Sequence, residues 1–218
     1  MQYQAVVFDM DGVIFDTERL VIEFWKEVAK KHNIPNIEHT CIQCLGTNRV
    51  RTREIFLENY GADFPFDPYR AEVTELFDTH YKGVPLPTKP GIRELLSYLQ
   101  EQDIKVGLAS STAQHLVRDE IGTAGLLPYF QTLVCGDMVE HSKPAPDIFL
   151  KACEILNADP TKSIAIEDSF NGIRSAHCAG MTPIMVPDQV QPTDEIRTLA
   201  FHVMPSLLDV LNWLKTLA

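Results

Sequence analysis

The chain has 218 residues, enough for one large domain or for one domain carrying a smaller insertion. Its 19 Lys and Arg against 30 Asp and Glu give a formal charge of -11, which argues against a partner held by its phosphate backbone, so no nucleic acid is expected. No apolar run approaches the roughly 20 residues of a membrane span, and the first residues lack the pattern of an export signal; a soluble, cytoplasmic protein with no membrane partner is expected.

In chain order, AVVF (Ala5 to Phe8) is a short apolar run without polar alternation, which suits a strand buried on both faces of a parallel sheet. From about Asp16 to Tyr81 the period is helical instead: Val21, Phe24, Trp25 and Val28, then Ile55, Phe56 and Tyr60, then Val73, Leu76, Phe77 and Tyr81. This segment reads as a helical insertion. Lys82 to Gly91, rich in proline and glycine, is the linker that brings the chain back. Strands are then expected at Val106 to Ala109, Leu133 to Cys135, Ile164 to Ile166 and Ile184 to Val186. Between them, helices start behind Pro90-Gly91, behind Pro144 to Pro146 and behind Asn171-Gly172, and a last helix covers Leu207 to Leu217. Alternating strands and helices predict an α/β fold with a doubly wound parallel sheet. The ranges are 1–15 and 88–218 for the core and 16–87 for the inserted helices, a lid on a hinge.

The five cysteines, an odd number, fit a reducing compartment better than a disulfide framework. Cys41 and Cys44 form a lone CIQC without a second pair for zinc or a preceding strand for redox work, and they read as ordinary thiols.

Polar residues recur where the expected strands end: Asp9 and Asp11, then Ser110-Ser111-Thr112, then Lys143, then Glu167-Asp168. An open α/β sheet builds its site in the crevice at those ends. Clustered carboxylates there raise one another's pKa unless a cation sits among them. Few carboxylates with room left for water and a phosphate oxygen favour Mg2+ over Ca2+. Asp9, Asp168 and Glu167 are the side-chain ligands in this reading. Asp11 contributes a main-chain carbonyl, which leaves one carboxylate as nucleophile and another to trade protons. Lys143 and the hydroxyl and N–H groups around Ser110 suit phosphoryl oxygens. Each piece has a plainer reading: an acid pair in a surface turn, a helix cap at Ser110 or at the ED dipeptide, a solvated lysine in SKPAP. Their common place after buried strands is what sets them apart.

DMDGVIFDTE (Asp9 to Glu18), LASS (Leu108 to Ser111), SKPAPDIF (Ser142 to Phe149) and IEDSFNGIRSAHCAGM (Ile166 to Met181) together resemble the haloacid dehalogenase superfamily, close to its β-phosphoglucomutase-like phosphatases. The resemblance implies a Rossmann-like core with an inserted all-helical cap. It makes Asp9 the nucleophile that becomes an aspartyl phosphate and Asp11 the general acid/base. Ser110, Ser111 and Lys143 become substrate binders, and Asp9, Asp11, Glu167 and Asp168 the Mg2+ site. In the cap it puts Arg49 of LGTNR, with Glu18, toward the substrate. Where the mutases carry a histidine after the DT of the first motif this sequence has Val21, and the lysine they use late in the cap is not evident near Asp78; both departures favour hydrolysis. The expectation is a monomeric Mg2+-dependent phosphatase for small phosphorylated metabolites. A sugar phosphomutase and a non-catalytic Mg2+/phosphate-binding module are the rivals.

Overall fold

The computed structural model describes residues 3–217; residues 1, 2 and 218, which the expected core range includes, lie outside the described residues. Six strands form one sheet: β1 (Ala5–Phe8), β2 (Lys105–Ser110), β3 (Thr132–Cys135), β4 (Ser163–Glu167), β5 (Thr182–Met185) and β6 (His202–Val203). Their spatial order is β3-β2-β1-β4-β5-β6, and every neighbouring pair is parallel. The chain therefore winds out from β1 to β3, crosses back to β4 and winds out the other way. This reversal opens a crevice between the carboxyl ends of β1 and β4.

The five expected strands are all present, with shifted ends. β2 and β4 each run one residue further than expected, so Ser110 and Glu167 are the last strand residues and not the first loop residues. β5 begins earlier and stops at Met185; Val186 instead donates its N–H to the Glu167 carbonyl at 2.7 Å. β6, two residues long, is too short to leave a pattern in the sequence.

Both faces of the sheet are covered, as the unbroken apolar runs require. On β1, Val6 and Phe8 point into one layer with α5 (Ile92–Glu101), α6 (Gln114–Thr123) and α10 (Leu207–Lys215). Ala5 and Val7 point into the other, with α7 (Asp147–Leu156) and α8 (Phe170–Cys178). Leu95, Leu96 and Leu99 are fully buried along one stripe of α5, each contributing about 2 kcal/mol. A short α9 (Asp194–Leu199) packs beside α8 through Ile196.

The segment between β1 and β2 folds as four helices, α1 (Thr17–His32), α2 (Ile37–Gln43), α3 (Arg49–Tyr60) and α4 (Phe66–Tyr81). They enclose an apolar cluster of their own. In it Trp25 lies 4.5 Å from Phe56 and 6.1 Å from Phe66 between ring centroids, with Ile22, Val28 and Val73 around them. Cys41 is buried in this cluster, and burial pushes the Cys44 thiol up to about 12, so the CIQC pair is inert packing. The two connections to the sheet run side by side. Asp16 N–H donates to the Pro87 carbonyl at 2.9 Å and Lys89 N–H to the Ile14 carbonyl at 2.8 Å. The Lys89 ammonium ties both to the core, reaching Asp16 at 3.1 Å and Asp188 at 2.5 Å.

Candidate active site

Asp9 follows β1 directly, and Glu167 and Asp168 close β4, so the strand pairing puts them side by side at the reversal crevice. Oxygens of these three carboxylates lie within 4.8 Å of one another, and all three residues are buried. Lys143, in the loop before α7, drives its ammonium in from the next wall, donating to Asp9 at 2.5 Å, to Glu167 at 2.6 Å and to the Ala109 carbonyl at 3.0 Å. Its side chain is 1% exposed, so these contacts must replace its hydration. Burial disfavours the ammonium, but Asp9 and Glu167 outweigh it and hold Lys143 above its ordinary value.

One ammonium among three carboxylates leaves two negative charges unbalanced. Burial, followed by Glu167 and Asp11, pushes Asp9 well above the usual carboxylate range even against Lys143. Burial, with Glu167, Glu18 and Asp9, does the same to Asp168. The Oδ2 atom of Asp168 is buried without any hydrogen-bond partner, an arrangement that costs stability unless something positive meets it. An all-oxygen donor set with two surplus charges fits a hard divalent cation, and Asp9, Glu167 and Asp168 are the residues that could hold it. The backbone has been shaped around these acids. Gly12 has φ +79°, and a methyl group there would overlap the Asp168 carboxylate; one on Gly172 would overlap that of Glu167. Glu167 is further pinned through Oε2, which accepts from the N–H groups of Asp168 and Ser169, both at 3.1 Å, and from the Ser169 hydroxyl at 3.0 Å.

Asp11 stands apart from the cluster. Its carboxylate accepts from the Thr17 hydroxyl at 2.5 Å and from the Thr112 hydroxyl at 3.0 Å, and it faces a cleft between the helical insertion and the sheet. Of the two acids separated by Met10, Asp9 thus lies among the buried carboxylates, while the Asp11 carboxylate is held by two hydroxyls. Thr17 and Thr112, which hold Asp11, have no assigned part in the sequence reading; their signal is only a hydroxyl within each motif. Ser110 is buried with its Oγ accepting from the Thr112 N–H at 3.1 Å, while Ser111 donates to the Gly46 carbonyl at 3.3 Å across the gap to the insertion. Glu18 lies close enough to the acids for burial and the charges of Asp11 and Asp9 to raise its pKa well above the ordinary range.

Arg49 does not join them. It is the first residue of α3, behind the Asn48 cap, and its guanidinium points outward, 73% exposed, to pair with Asp67 at 2.9 Å. Arg49, expected to reach the substrate, is held here by the nearer carboxylate at the start of α4.

Residues 6–186 match the family model of the haloacid dehalogenase-like hydrolases. The chain belongs to that family. The hydrolase is 33% identical over 181 residues to the phosphorylated carbohydrates phosphatase of Thermotoga maritima, with 83% of each chain covered. It is also 33% identical over 199 residues to the β-phosphoglucomutase of Bacillus subtilis, with 87% of this chain and 85% of the relative covered. Its fold matches the crystal structure of a β-phosphoglucomutase from Clostridium difficile with a TM-score of 0.80, at 24% identity, over 98% of this chain and 96% of that one. No described helix of the hydrolase is long and apolar enough to cross a membrane.

Proposed function

We propose that the chain is a Mg2+-dependent phosphatase of small phosphomonoesters, sugar phosphates foremost, that works through an aspartyl phosphate on Asp9. The observation that carries this reading is the placing of Asp9 beside Glu167, Asp168 and Lys143 while Asp11 is held apart by Thr17 and Thr112. When bound, Mg2+ would neutralise the surplus charge of the three acids and polarise a phosphoryl oxygen. Lys143 and the groups around Ser110 would hold the remaining oxygens. The Asp9 carboxylate attacks phosphorus in line, the P–O bond to the leaving alcohol breaks, and Asp11 gives that oxygen its proton. Asp11 then takes a proton from the water that attacks the acyl phosphate, which returns phosphate and restores both carboxyl groups. Residues 16–87 act as the cap over this floor, excluding water and contacting the leaving group. Its five free cysteines support a cytoplasmic home, and one chain supplies both walls of the cleft, which supports a monomer.

The relative at 33% identity that is a β-phosphoglucomutase favours a second reading, in which the phosphoryl group returns to a sugar. Against it, the cleft beside Asp11 is lined by Val21 and Phe77 and by no histidine among the described residues. One assay covers both readings. Phosphate release from an aryl phosphate should require added Mg2+ and fall at least about 1,000-fold in Asp9→Asn, and glucose 1-phosphate should give free phosphate in place of an isomer. Equal inertness of wild type and variant across a metabolite panel would sink the phosphatase.

A further inference from the structure

Beside Asp11 the cleft continues for about 390 Å³ between α1 and α4 of the insertion and α6 of the core. Two ionisable side chains of its lining, one on α4 and one on α6, make no ion pair among the described residues. Arg70 on α4 is half-buried and makes no ion pair among the described residues; one N–H donates to Thr74 at 3.1 Å. Burial and the neighbouring Arg49 hold its pKa below the ordinary guanidinium value. Glu120 on α6 has its Oε2 buried without a partner. Burial, then Asp11 and Asp119, push its carboxyl up to about 8, so near neutral pH it keeps its proton and both donates and accepts. A ligand that satisfies both must present donors and acceptors together.

The rest of the lining narrows the choice. Phe77 and Val73 offer an apolar face, and Thr74, Thr123 and Tyr81 add hydroxyls. Asp78 and Asp119 stand at the rim with Asp11 at the floor, against only Arg70 and Lys82 as cations. The field is therefore unfavourable for a second phosphate or a carboxylate on the leaving group.

On the phosphatase reading, we propose that Arg70 and Glu120 are the specificity residues of this cleft, bracketing an uncharged polyhydroxyl leaving group and excluding one that carries a second anionic group. Vicinal hydroxyls give the guanidinium fork acceptors and the carboxyl group partners of both kinds, while the carbon skeleton packs on Phe77. A polar site built for hydroxyls discriminates strongly, because a ligand without them leaves buried groups unpaired.

The test compares glucitol 6-phosphate, fructose 1,6-bisphosphate and 4-nitrophenyl phosphate as substrates of the Mg2+-loaded wild type and of Arg70→Ala, Arg70→Lys and Glu120→Ala. Wild type should prefer the polyol monophosphate to the bisphosphate by about tenfold or more in kcat/KM. The ratio of kcat/KM for the polyol ester over the aryl ester should fall about tenfold in Arg70→Ala and in Glu120→Ala, mainly through KM, with part of the loss recovered in Arg70→Lys. A ratio that stays put in both alanine variants, or a preference for the bisphosphate, overturns the assignment while leaving the phosphatase intact. Failure of wild type to release phosphate from any of the three, the aryl ester included, removes the phosphatase reading and this one with it.

Discussion

The sheet crevice and the helical insertion meet at one cleft, yet they treat their charges in opposite ways. At the crevice Asp9, Glu167, Asp168 and Lys143 are buried; Lys143 locks Asp9 to Glu167, and the backbone pins Glu167. On the insertion the ion pairs are mostly exposed: Arg49 with Asp67, Arg51 with Glu54 and Glu58. Buried charges fixed by strand ends have one arrangement, whereas exposed pairs on helices exchange partners at little cost. The first region can be preorganised for a reaction, and the second can be altered without disturbing it.

Breaking the rigid side should have the largest effect. Gly172→Ala forces a methyl group into the Glu167 carboxylate that the Ser169 turn clamps in place. It should cost about 3 kcal/mol in urea unfolding and weaken Mg2+ binding with it. A variant as stable as wild type would mean that the crevice is softer than its hydrogen bonds indicate.

The boundary between the regions is sharpened by Glu120, whose effect depends on pH. With its folded pKa raised to about 8 and an unfolded value near 4.3, the folded chain holds more protons than the unfolded one between those limits. Its contribution to stability therefore falls as pH rises through that window, and the loss is complete above it. Glu120→Gln removes the titration. Its advantage over wild type should be near zero at pH 4 and grow to as much as about 5 kcal/mol by pH 8.5, read from urea midpoints. The same difference at both pH values would refute the burial argument.

The smallest effect is expected on the adaptable side. Arg49→Ala breaks only the solvent-screened pair with Asp67, and should leave kcat/KM on an aryl phosphate within about twofold. A loss of tenfold or more would show that Arg49 turns inward when substrate is bound and that the family resemblance, rather than this geometry, describes it.

What could be read from the sequence follows the same divide. Five strands were legible because burial on both faces leaves unbroken apolar runs, and the acids were legible because they stand where those runs end. Parallel pairing of β1 with β4 then fixes their meeting without further information. The helices α2, α6 and α9 were not. Their buried residues, such as Val117 and Ile121 on α6 or Ile196 on α9, are too few to mark a stripe. The direction of Arg49 could not be read for a related reason: it depends on Asp67, 18 residues away, which only the packing of α4 brings near. Arg70 and Glu120 acquire meaning only once α4 and α6 face each other.

The paired connection at Asp16–Pro87 and Ile14–Lys89 carries a consequence for how such enzymes diversify. Since the polypeptide departs from the floor and returns at adjacent points, a foreign roof could be spliced in as one uninterrupted stretch of gene. The register of the strands below would be untouched, and the reaction could be kept while the choice of alcohol is rewritten.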